Sequence, residues 1–169
     1  MSETRERIRR HVTAHPGVHF NELVRTLDLA PGQVQHHLKR LTPEAVVAES
    51  LYGRTHYYPP AYDEWERGAL ALLRRETARD VLGALAAGLR APDAVADEIG
   101  IARSTLEWHL DHLLEQGLVE KSYDEQGRVT LALSRPAETA ELLAAVEPSL
   151  PDRLVDRFTR LVDSFLDPG

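Results

Sequence analysis

The stretch PGQVQHHLKRL (31–41) gathers two amides, two imidazoles and two cations between Gln33 and Arg40. A glutamine amide can bond the edge of an adenine through both its donor and its acceptor, and Lys or Arg can reach guanine or a phosphate. If the stretch is a helix that turns Val34, Leu38 and Leu41 inward, a rotation of about 100° per residue carries Gly32, His36 and Lys39 outward. Gln33, Gln35 and Arg40 then fall on its flanks. Such a face could read a DNA major groove, with Gln33, Gln35, His36, Lys39 and Arg40 as its contacts. Further on, Arg54 stands at the tip of a hairpin-like segment and is followed by His56, Tyr57 and Tyr58. That basic and aromatic set suits a phosphate backbone or a minor groove.

Seventy-two positions later the pattern returns as RSTLEWHLDHL (103–113), with the apolar positions kept and the outer ones changed. The same wheel turns Ser104, Trp108 and Asp111 outward, with Thr105, Glu107 and His112 beside them. Carboxylates are repelled by phosphates, and an outward Trp more often marks a protein interface than a base reader. Trp108 and Asp111 are therefore candidates for protein contact, the indole against the linker or tail helices or against a partner chain. His37 and His109 share one repeat position beside a core leucine, which points to packing or hydrogen bonding.

The elements that would position these residues are themselves repeated. Aligning 20–41 with 92–113 leaves Ala30/Ala102, His37/His109, Leu38/Leu110 and Leu41/Leu113 identical and keeps every other core position apolar. Each copy reads as a helix (5–15 and 77–87), a short helix (21–27 and 93–99), a tight turn at Asp28 or Gly100, and a second helix from Pro31 or Arg103. Two β-rich runs follow, joined by a turn containing Gly-Arg. Helix, helix, helix, hairpin is the winged helix-turn-helix order. The fold class is accordingly mainly α with small β-hairpins, in two tandem units. Gly53-Arg54 and Gly127-Arg128 lie 74 apart, which predicts a second hairpin two residues longer than the first.

The expected boundaries are 1–62 for the first unit, 63–75 for a linker helix, 76–135 for the second unit and 136–169 for a helical tail. The linker carries an apolar stripe of Trp65, Ala69, Leu72 and Leu73. Two tail helices are predicted near 137–147 and 151–166, and the second repeats apolar residues that include Phe158, Leu161 and Phe165. That stripe adds three candidates for a protein interface, to be covered either by the rest of its own chain or by a second copy in a homodimer.

Bulk properties narrow the class. The formal charge of −7 over 169 residues hides a local contrast: residues 1–62 hold 8 Lys+Arg against 6 Asp+Glu, whereas residues 63–135 hold 9 against 14. Only the first unit is basic. The absence of cysteine excludes disulfides and thiolate metal sites. No leader-like or membrane-length apolar run is present, so a cytoplasmic protein with no membrane partner is expected. His11 and His15 have a spacing able to hold a metal but lack a nearby third ligand, and no cofactor is expected. No phosphate loop, nucleophile motif or paired-carboxylate constellation suggests an enzyme.

The segments FNELVRTLDLAPGQVQHHLKRL with GRTHYYP, and IARSTLEWHLDHLLEQGLVEK, resemble the tandem winged-helix transcription regulators of archaea, especially the haloarchaeal type. Their single units are similar to the ArsR and MarR groups, and the resemblance covers about residues 5–135. It implies binding to double-stranded DNA near promoters through Gln33, Gln35, His36, Lys39 and Arg40, with Arg54 on the wing. The cysteines of ArsR-like metal sensors are missing, so their metal response is not implied. The expected function is a sequence-specific DNA-binding transcription regulator whose second unit and tail organise assembly. The alternative is a protein-interaction module that binds a transcription-machinery or chromosome-associated protein.

Overall fold

The computed structural model describes residues 2–146, and the chain divides into two compact units between Ala71 and Leu72. In the first, α1 (Glu3–Ala14), α2 (Phe20–Leu27) and α3 (Pro31–Leu41) surround one apolar cluster. Ser2 caps α1 by accepting a bond from the Arg5 N–H at 3.1 Å, and Pro31 opens α3 where a missing N–H costs nothing. Ile8 and Val12 from α1, Leu23 from α2 and Val34, Leu38 and Leu41 from α3 fill the core. Phe20, Val24, Leu27 and Leu29 pack around it half-buried.

The sheet has three strands, in the order β1 (Val18–His19), β3 (Arg54–Tyr58), β2 (Val47–Leu51). The segment between α1 and α2 carries no strand pattern in the sequence, yet Val18 and His19 pair with Tyr57 and His56 there. Two residues are too few for an alternating pattern to register. The β2–β3 turn is Tyr52-Gly53, with φ of 51° and 83°, the doubly left-handed form that matches strand twist.

Two side chains expected on the outer wing lie inside. His56 is 2% exposed, with its Nδ1 and the Gly17 carbonyl oxygen 2.7 Å apart. Tyr58 is fully buried and donates to the Arg67 carbonyl at 2.7 Å. Arg67 in turn donates to Glu49 of β2 at 2.6 Å and to the Tyr62 carbonyl at 2.7 Å. A central strand flanked by β1 and β2 presents alternate residues to the core, and that alternation claims His56 and Tyr58.

The helix α4 (Glu64–Leu73) crosses the division between units. Its expected stripe is wider than the sequence suggested, because every residue from Ala69 to Leu73 is buried.

In the second unit α5 (Glu76–Leu85), α6 (Pro92–Ile99) and α7 (Arg103–Glu115) repeat the three-helix order. Val81, Leu82 and Leu85, then Val95 and Ala96, then Leu106, Leu110 and Leu113 form the buried positions. The hairpin of β4 (Val119–Tyr123) and β5 (Val129–Leu133) is joined by a single bridge from Arg90 to Leu131, the reduced counterpart of β1. The last described helix, α8 (Pro136–Val146), buries Thr139, Leu142 and Val146.

The hairpins differ by three residues, not two. Leu51 pairs with Arg54 and closes residues 52–53, whereas Tyr123 pairs with Val129 and closes residues 124–128. The hydroxyl pairs Ser50–Thr55 (3.3 Å) and Ser122–Thr130 (2.7 Å) mark equivalent rungs. Matching Gly-Arg to Gly-Arg misplaces the register by one, because Arg54 begins a strand and Arg128 still lies in the loop, paired with Asp124 at 2.9 Å.

The turns between the two helices of each motif are alike. Asp28 ends α2 with φ 53° and Gly100 ends α6 with φ 74°. A left-handed residue with a Cβ costs about 1 kcal/mol, less for Asp, whose short side chain bonds locally. No atom lies within 4 Å of where a Gly100 Cβ would stand. Gly100→Ala is therefore expected to destabilise the protein by about 1 kcal/mol through backbone strain alone. Equilibrium urea unfolding checks this, and an unchanged midpoint would refute it.

Candidate nucleic-acid interface

Burial of Val34, Leu38 and Leu41 fixes the rotation of α3, and Gln33, Gln35, His36, Lys39 and Arg40 are then all exposed. An open groove of about 1230 Å³ runs between α2, α3 and the β2–β3 hairpin. Gln35 and Lys39 of α3 and Arg54 of the hairpin line it together. Its floor contains Phe20, Leu38 and Tyr57, and its rim adds Asn21, Arg25, Thr42 and Thr55. Residues distant in sequence thus form one surface: an apolar floor under three cations.

Gln33, His36 and Arg40 are exposed on α3 but do not line the groove. The Gln33 side chain reaches back to accept the Ala30 N–H at 3.2 Å, so its carbonyl serves the start of the helix. The His36 ring lies edge-on to His37, with centroids 5.2 Å apart. Among the described residues, Arg25, Lys39, Arg40 and Arg54 make no ion pair, which leaves their charge available to an anionic ligand.

Asn21 and Arg25 were missed by the sequence reading, although a signal existed. They lie four apart on one face of α2, and their repeat partners are Asp93 and Asp97. The charge contrast of Lys39 with Asp111 thus extends to the first helix of the motif, where Arg25 faces the same reversal at Asp97.

In the second unit Trp108 is 54% exposed and Asp111 is exposed beside it. The indole meets His109 and His112 edge-on, with centroids at 4.8 and 4.6 Å. Arg103 at the start of α7 holds Asp93 at 2.6 Å and Glu107 at 2.9 Å. Phe158, Leu161 and Phe165, the remaining interface candidates, lie outside the described residues.

Two family matches follow one another over residues 2–122. Residues 2–70 match a family described as an N-terminal HTH domain, and residues 72–122 match one described as a helix-turn-helix domain. The chain is a tandem of two winged helix-turn-helix units. The two matches meet at the Ala71–Leu72 division of the structure. The chain is also 24% identical over 129 residues to an uncharacterized HTH-type transcriptional regulator of Methanocaldococcus jannaschii. That alignment takes in 76% of this chain and 33% of the relative, so the chain spans about a third of the relative's length. Among the described residues no helix is long and apolar enough to cross a membrane.

The tandem units share a histidine whose protonation is opposed. Arg5 donates to the His37 Nδ1 at 3.4 Å, which requires that nitrogen to be unprotonated. Burial, then the nearby Arg5, His36 and Arg40, push His37 below the ordinary imidazole value. Burial, then His112 and Arg75, do the same to His109. A base whose folded pKa is depressed contributes its full stability above the unfolded value of about 6.5 and loses it as pH falls toward the folded value. The urea midpoint of wild type should therefore fall between about pH 7.5 and 5 more steeply than that of a His37→Gln/His109→Gln variant. Parallel profiles would refute the assignment.

Proposed function

We propose that the chain is a sequence-specific DNA-binding transcription regulator of the archaeal tandem type. The observation that carries this reading is the groove that brings Gln35, Lys39 and Arg54 together with Arg25 on one open face of a helix-turn-helix unit. The second helix of such a motif lies in a major groove, with the first beside the backbone and the hairpin on the flanking phosphates. In this reading Gln35 meets a base edge and Lys39 the adjoining phosphate, with Gln33, His36 and Arg40 on the same helix. Arg25 and Arg54 neutralise phosphates on either side. The archaeal relative, named as an HTH-type transcriptional regulator, supports the assignment.

Residues 1–62 act as the reading unit, 63–75 as the linker, and 76–135 with the tail as the part that organises assembly. Trp108 and Asp111 favour this division, since an exposed indole among carboxylates suits protein better than phosphate. The same observation supports a second reading, in which α7 engages a protein of the transcription machinery. Phe158, Leu161 and Phe165 are assigned to a homodimer contact, and the protein acts in the cytoplasm.

Lys39→Ala and Arg54→Ala should each weaken binding to duplex DNA and each reduce the salt slope by about 1. Asp111→Ala should leave affinity unchanged at concentrations where the chain is monomeric. Fluorescence titration against genomic target duplexes over a range of salt checks this. Unchanged affinity and slope in both basic variants would defeat the DNA reading.

A further inference from the structure

The two units are built alike, so the polar positions of α2 and α3 that line the groove of the first can be matched one to one in the second. They change together. Asn21, Arg25, Gln35 and Lys39 correspond to Asp93, Asp97, Glu107 and Asp111. Every one of these positions becomes a carboxylate, while the buried positions of the same helices stay apolar. Arg103 holds Asp93 and Glu107 on the surface of the unit, and Asp97 and Asp111 stand exposed. Between Glu107 and Asp111 the indole of Trp108 projects, 54% exposed and flanked by His109 and His112. The face of α7 is thus an aromatic ridge with acidic flanks.

The groove of the first unit has the opposite form: an apolar floor of Phe20, Leu38 and Tyr57 beneath Arg25, Lys39 and Arg54. An indole is best removed from water against an apolar or aromatic floor, and its face attracts cations. Carboxylates on its flanks would meet the rim charges. We propose that the α7 face of one copy docks into the first-unit groove of a second copy, with Trp108 over the floor and Asp111 among the cations. The docked face takes the place of a phosphate backbone, so self-association and DNA compete for one groove. The competition rests on the DNA reading above, whereas the self-association does not.

The test is sedimentation of the full chain over a range of protein and salt concentrations. Wild type associates reversibly and dissociates as salt rises. Asp111→Lys and Lys39→Glu each place like charges opposite one another and weaken association about tenfold or more. Mixing the two variants restores it, because the reversed charges then face each other. Trp108→Ala weakens it as well, and all three positions are exposed, so unchanged thermal midpoints show that the fold is intact. A chain monomeric at every concentration overturns the proposal, as it would be if residues 147–169 or another protein occupied α7. Association unaffected by Asp111→Lys and Trp108→Ala, or variants that fail to rescue each other, overturns it too. If charge reversal controls association but duplex DNA does not displace the second copy, the DNA reading of the groove fails and the interface stands. If DNA binds the groove without any association, the DNA reading stands alone.

Discussion

The three inward positions of the second helix in each motif govern most of what the protein presents to its surroundings. Val34, Leu38 and Leu41 are almost completely buried, as are Leu106, Leu110 and Leu113. Burying each such side chain is worth about 1.5–3 kcal/mol, far more than the preferences of exposed polar side chains, so helix rotation is decided from inside. Once it is decided, the identities of the outer residues are free to differ. The two units use that freedom in opposite directions.

In the first unit the outer positions become amides and cations around an apolar floor, and in the second they become carboxylates around Trp108. Neither face disturbs its core. Arg103 shows how the acidic face is kept in order: one guanidinium links Asp93 of α6 to Glu107 of α7 across the motif. The position it fills is held in the first unit by Pro31, where there are no carboxylates to hold. The basic face needs no such clamp, and its cations stay available.

Elements with a long repeating pattern were legible in the sequence. The helix beginning at Pro31 and ending at Leu41 was readable from apolar spacing and from a proline suited to a first helical position. The tandem winged order followed from keeping that spacing over two copies. The two-residue strand Val18–His19 was not legible, since its partners lie on a strand 39 residues away at Tyr57 and 37 away at His56. Hairpin register was misread for a related reason: Gly-Arg occurs in both turns, but strand pairing depends on which rungs face each other, and Ser50–Thr55 and Ser122–Thr130 set those.

Composition and periodicity alone determined that the chain holds two copies of one helix-turn-helix plan and that only the first is basic. These are local properties, carried by neighbours three and four apart and by the sign of charges within a segment. Tertiary structure decided which side chains act together. It turned His56 and Tyr58 into the core, because a strand flanked on both sides must bury alternate residues. It also brought Arg25 of α2 to the same groove as Lys39 and Arg54. No spacing rule joins those three positions; only the packing of α2 and the hairpin around α3 places them on one face.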